Sequence, residues 1–195
     1  MEKITDHLTY REATFSMNAT KHGIDNTPTA EQLTSIQKFA EHVFEPLRKL
    51  SGDKTIRTSI IFRSGVKQKS AITGKITSVN ELAGGDPNSQ HKCENGDAAG
   101  DFDNDGLEDR VQNNVLFKVA YNHLEVNYDK IIAENIDDSG HVDWVHISHN
   151  HKRKQRRIAL VMFFCMVNGK RKKVYRIYDV FKGLVRSNYL LNGEL

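Results

Sequence analysis

Hydrophobic positions in this chain follow two different periods, and each period predicts a different kind of element. Between Thr29 and Leu50, the residues Leu33, Ile36, Phe39, Ala40, Val43, Phe44, Leu47 and Leu50 recur at three- and four-residue spacing, which is one face of a helix. Thr29 with Gln32 three residues on makes a capping box, and Pro28 lies just outside, so the spacing predicts a helix over 29–50. Pro46 brings no backbone donor, which predicts a kink or a separate short helix in the last turn. A second stripe of Val111, Val115, Leu116, Val119 and Ala120 predicts a helix over 109–124.

Elsewhere the pattern is β-like. Strands are expected over 56–62, 130–133 and 142–148, the last reading VDWVHIS. The longest apolar run, IALVMFFCMV from Ile158 to Val167, is about ten residues against the roughly 20 a membrane helix needs, so it is expected as a buried strand. Asn168-Gly169 suits a two-residue turn and predicts a hairpin between 158–167 and 173–180. Residues 64–95 are polar with little periodicity and read as a long functional loop.

Composition narrows the class without naming a function. With 195 residues, 38% hydrophobic content, 27% charge and a net charge of +3, the chain fits one core with appendages, and its basicity is too weak to argue for nucleic acid. Cys93 and Cys165 lie far apart and are expected as free thiols. The opening MEKITDHLTY has no apolar secretory core, so synthesis as a soluble cytoplasmic protein with no membrane span is expected.

Nine histidines are present, and two sit in suggestive surroundings: His91 in SQHKCENGDAAGDFD and His146 in DWVHIS. Catalytic zinc commonly takes three histidine and carboxylate ligands and keeps one position open for water, which two histidines and an aspartate satisfy. Gly96, Ala98, Ala99 and Gly100 would let the backbone crowd a metal or a substrate.

Five blocks then occur in order: YREATFSMNATKHGIDNTP, the helix ending EPLRKL, the strand ending FRS, NSQH with GDAAGDFD, and DWVHIS with KRKQ. Across roughly residues 8–157 they resemble the zinc D-Ala-D-Ala carboxypeptidases and their L-alanyl-D-glutamate endopeptidase relatives, which include phage lysins. The resemblance implies an α+β fold, a small antiparallel sheet with helices on one side and zinc at the sheet edge. Residues 1–157 would form the peptidase domain, with 158–195 a hairpin extension of it. It implies a Zn2+ held by His91, Asp101 and His146, with Arg63 facing a substrate carboxylate or oxyanion and Asp143 as general base. Peptidoglycan stem peptides would be the substrate, and delivery of a phage type would suit the missing secretory signal.

Alternatives stay open at several positions. Glu94, Asn95 and Gly100 lengthen the spacing around Asp101, which leaves Asp97 and Asp103 as rivals, and Glu134 is an alternative base. Asp101, Asp103 and Asp105 before Gly106 match the first half of a calcium loop, although position twelve is Gln112 where a glutamate is expected, so Ca2+ at Asp103 and Asp105 is a further expectation. His149 and His151 are expected to be exposed, on the grounds that strand alternation turns His149 away from His146. KRKQRR and KRKK read as solvated charge. A non-catalytic binding module on the same fold is the rival class.

Overall fold

The structure, a computed structural model, describes residues 2–104 and 111–191. Its fold is α+β: a six-stranded sheet in the order β1-β4-β6-β5-β7-β8, plus a two-stranded β2-β3 ribbon and several helices. The strands of the large sheet are β1 (Thr58–Ile60), β4 (Asp97–Phe102), β5 (Lys130–Glu134), β6 (Trp144–Asn150), β7 (Ile158–Val167) and β8 (Lys170–Ile177). The ribbon pairs β2 (Gln68–Lys69) with β3 (Ile76–Thr77). All neighbours in the large sheet are antiparallel except β5 and β7, so the sheet is mixed where an antiparallel one was expected. β7 pairs with β5 inside this sheet, and Val161 and Phe163 on it are fully buried.

After two short helices, α1 (Tyr10–Thr14) and α2 (Met17–His22), the helix expected over 29–50 forms as α3 (Ala30–Phe39), a π-helical turn (Ala40–Phe44) and α4 (Glu45–Leu50). Thr29 and Gln32 make the predicted capping box. Pro46 does not break the helix. Its missing N–H would have bonded the carbonyl of His42, and that carbonyl instead accepts from Asn127 N–H at 2.9 Å. The second helix is α6 (Asn113–Asn122), which buries Leu116, Phe117 and Ala120 while Val115 stays 43% exposed.

Alternation within the strands creates two faces. Ala98 and Phe102 of β4, Ile131 and Ala133 of β5, and Val145 and Ile147 of β6 enter the main core, where α3 and α6 pack. Residues of the other parity, among them Asp101, His146 and Glu134, point to the opposite face. Gly100 marks where α3 presses closest: a Cβ there would lie 2.9 Å from Phe39 Cζ and 3.2 Å from its Cε1. Gly100→Ala is expected to cost about 1–3 kcal/mol by overpacking, read from urea denaturation midpoints at unchanged slope.

Three sequence expectations change here. The strand expected over 56–62 is only Thr58–Ile60. The 64–95 stretch is not structureless, because it contains β2, β3, a helix α5 (Val79–Leu82) and a 3-10 turn (Gln90–Lys92). The return strand of the hairpin starts at Lys170, directly across from Val167, so KRKK is strand and not loop. No helix among the described residues is long and apolar enough to cross a membrane.

Candidate metal centre

Three separate elements bring the candidate ligands together. Asp101 on β4 and His146 on β6 are direct cross-strand partners, so their side chains leave the sheet side by side. His91 arrives from the 3-10 turn, which is tied to α3 by Gln32 Nε2 donating to Lys92 O at 3.0 Å. The capping residue of the long helix therefore also positions the histidine turn.

The segment before the loop is clamped from both sides. Asn26 Nδ2 donates to Thr14 O (2.8 Å) and Phe62 O (3.3 Å), and its Oδ1 accepts from Ser64 N–H at 2.8 Å. On the other side Arg63 N–H donates to His91 O at 2.8 Å. Asn26, the last residue of GIDN, thus has a mechanical reason to be there: it fixes the backbone around Arg63.

The geometry at the centre is close. His146 Nδ1 lies 2.9 Å and His91 Nε2 3.2 Å from the same carboxylate oxygen, Asp101 Oδ1. Among the described residues these three form the group of histidine, cysteine and acidic side chains that could hold a metal ion, with one ligand atom from each and all within 4.8 Å of one another. Arg63 Nη2 stands 3.6 Å from the other oxygen, Asp101 Oδ2. All four side chains are nearly buried, at 6% to 14% exposure.

The chain matches no family model, no curated protein and no solved structure. What the site can do must therefore be argued from its chemistry. His91 Nδ1 lies 3.2 Å from Ile61 O, and a carbonyl can only accept, so this nitrogen carries the hydrogen. In the neutral ring Nε2 then turns a lone pair towards the Asp101 carboxylate. Two acceptors at that distance repel unless a proton or a cation sits with them, which is how a metal-ligating histidine is prepared. Burial alone would raise the Asp101 carboxyl, but facing His91 and His146 outweigh it and hold the group well below the usual carboxylate range. Asp101 is therefore an anion ready to ligate. Cys93 is no competitor as a thiolate, because complete burial pushes its thiol far up.

The remaining nominated residues fall elsewhere. Asp143 sits just before β6, 37% exposed, and accepts hydrogen bonds from Asn135 Nδ2 and His141 Nε2, the latter at 3.1 Å. Glu134 lies on the same sheet face as His146, two residues along β5 from His146's partner Ile132, with its Oε2 3.1 Å from Lys173 Nζ and the residue 7% exposed. Of the two calcium positions, Asp103 is exposed and Asp105 lies outside the described residues. The rival Asp97 accepts from Asn150 Nδ2 at 2.9 Å, at the other end of β4 from Asp101.

Two expectations about charge and histidines are corrected. His149 is buried at 2%, stacked on His42 with ring centroids 5.1 Å apart and Nδ1 2.7 Å from Asn127 O, and burial lowers its pKa. It does turn away from His146, but the far side of the sheet is the core and not the solvent. His151 is half-buried, its Nδ1 3.1 Å from Gly96 O. In KRKQRR, Arg153 and Arg156 grip the buried carboxylate of Asp129, and Arg157 stacks 4.3 Å over Tyr128. Their signal in the sequence was the acid at the start of β5, which no local spacing connects to them.

Proposed function

We propose that the chain is a zinc-dependent peptidase acting on peptidoglycan stem peptides, with His91, Asp101 and His146 as the metal ligands. The observation that carries this is the convergence of His91 Nε2 and His146 Nδ1 on one oxygen of an ionised, nearly buried Asp101. Two imidazole nitrogens and one carboxylate make a donor set typical of catalytic zinc. The substrate class comes from the five sequence blocks, whose two histidines, aspartate and arginine are the four residues gathered here.

The chain's own residues divide the work. Arg63, held by Asn26 and His91 through its backbone neighbours, orients Asp101 and offers its remaining donors to a substrate carboxylate or an oxyanion. Bound zinc supplies a polarised carbonyl and a water acidic enough to attack near neutral pH. Asp143 takes the role of base, because Glu134 is nearly buried and already paired with Lys173, whereas Asp143 is accessible and oriented by Asn135 and His141.

The test is metal analysis of the purified protein together with the release of new amino termini from isolated peptidoglycan. Stoichiometric zinc with release supports the peptidase, and the newly exposed residue names the bond as D-Ala-D-Ala or L-Ala-D-Glu. Asp143→Asn is expected to cut turnover about 100-fold or more with zinc content unchanged, and Glu134→Gln to change it only a few-fold. The reverse ranking would move the base to Glu134. Zinc without any cleavage would favour a binding module on this fold, a reading to which the two hydrogen bonds already occupying Asp143 lend support.

A further inference from the structure

β7 is longer than the strand it pairs with, and the overhang borders a cavity. β5 ends at Glu134, and Asn135, in the left-handed region at φ 54°, turns the chain away. Ile136 N–H donates to Met162 O at 3.0 Å, the last bond on that side of β7, while β7 runs on to Val167 paired with β8 alone. Backbone groups alternate sides along a strand, so Phe164 and Met166, two and four residues past Met162, turn their N–H and C=O towards the gap. Among the described residues, neither takes a hydrogen-bond partner there. The gap is a cavity of about 330 Å3, lined among others by Asn135, His141, Asp143, Phe164, Met166 and Arg171.

Its chemistry is specific. Arg171 is the cross-strand partner of Met166, and its guanidinium stacks 3.9 Å over the Phe164 ring. It is exposed, and no carboxylate among the described residues pairs with it, unlike Arg186 at the same cavity, which is held by Asp138. A stacked, unpaired guanidinium presents a flat fork that matches a carboxylate. A free strand edge beside it matches the backbone of an extended peptide.

We propose that this cavity seats an extended oligopeptide, which adds a short strand to β7 at Phe164–Met166 and gives a free carboxylate to Arg171. The inference deepens the peptidase reading and rests on it for the identity of the natural ligand, but the binding itself needs no metal. Asp143 lines the cavity and precedes His146 by three residues in the chain. Met166, opposite Arg171, lies six residues along β7 from Leu160, which Ile132 sets level with His146, so about 20 Å of extended peptide separates an anchor at Arg171 from the metal ligands. The hairpin carrying Phe164 and Arg171 lies outside the blocks of the sequence resemblance and would supply this chain's own selectivity.

The test titrates N-acetyl tetra-alanine, in all-L and in alternating L,D forms, onto the full chain in EDTA, followed by amide NMR. The expected result is binding of at least one form with the free carboxylate, with the largest shifts and slowed exchange at the Phe164 and Met166 amides. The carboxamide version should bind about tenfold more weakly, and Arg171→Gln should remove that difference. Equal binding of acid and amide, shifts elsewhere, or no binding of any form would overturn the proposal. Peptide binding here without zinc uptake or cleavage would defeat the peptidase reading alone, and cleavage that is indifferent to Arg171 would defeat the seat alone.

Discussion

A His146→Ala chain is expected to fold, to lose its metal, and to lose peptide cleavage with it. His146 is one of the three proposed donors, and its removal leaves Asp101 still held by His91 and Arg63, so the sheet has no orphaned charge to bury. Losing one of three ligands should weaken zinc binding by more than about 100-fold, since even outer partners of such ligands are worth 10- to 100-fold. The cleanest reading is thermal. In zinc at about a thousand times its dissociation constant, the wild-type native state gains about 4 kcal/mol, which for a chain of this size is a rise of roughly 8–16 °C. The variant should show almost none of that rise, while its melting temperature in EDTA stays within a few degrees of wild type. An equal zinc-induced rise in both proteins would remove His146 from the site whatever the activity did.

Asp129→Ala is expected to be the most damaging single change away from the metal centre. The Asp129 side chain is completely buried and accepts from Arg153 Nη1 (2.5 Å) and Nη2 (2.9 Å), from Arg156 Nη2 (2.5 Å) and Nε (3.1 Å), and from Arg156 N–H at 3.0 Å. Its backbone joins two strands, with N–H donating to Ser148 O at 2.7 Å and C=O accepting from Ile158 N–H at 3.0 Å. Breaking a buried pair by removing one partner costs about 3–5 kcal/mol, and the two arginines, 38% and 49% exposed, can partly return to water, so about 3 kcal/mol is expected. That corresponds to a melting temperature lower by roughly 6–12 °C.

The same residue sets an acid dependence. Burial raises the Asp129 carboxyl, but the hydrogen bonds from Arg153 and Arg156 outweigh it and hold it well below its ordinary value. A depressed folded pKa gives stability that is fully present above the unfolded value near 4 and is lost as pH falls through the folded one. In EDTA, the advantage of wild type over Asp129→Ala should therefore shrink steadily as pH falls from about 5 towards 2. A difference that stays constant across that window would mean the ion pairs contribute nothing and the loss is one of packing.

Much of this architecture was legible because its signals are local. The α3 stripe, the Thr29–Gln32 box and the Asn168-Gly169 turn each specify their own element within a few residues. What escaped depended on partners far along the chain. Pro46 announces the separate short helix that follows the π-helical turn but not the Asn127 amide that takes the carbonyl it frees, and Asp129 is an unremarked acid until two arginines of KRKQRR fold back on it. Two-residue strands such as Gln68–Lys69 are too short to show a period at all. At the centre, motif context singled out His91, Asp101, His146 and Arg63; the β4–β6 register explains why Asp101 and His146 meet, and the Arg63 N–H to His91 O bond ties the other two together. The capping box marked Gln32 and the GIDN block contained Asn26, but neither pattern showed that these side chains hold the backbone under the site, and nothing in the sequence pointed to the overhang of β7.

The strand order carries a consequence for biosynthesis. β6 lies between β4 and β5, and β4 between β1 and β6, so Asp101 and His146 become neighbours only after the chain has been made well past residue 150. A ribosome-bound fragment carrying His91 and Asp101 has two of the three proposed donors and no β6 to bring the third. On the proposed ligand assignment, metal capture would therefore be a late event in the life of the chain, confined to molecules whose distant segments have already found one another.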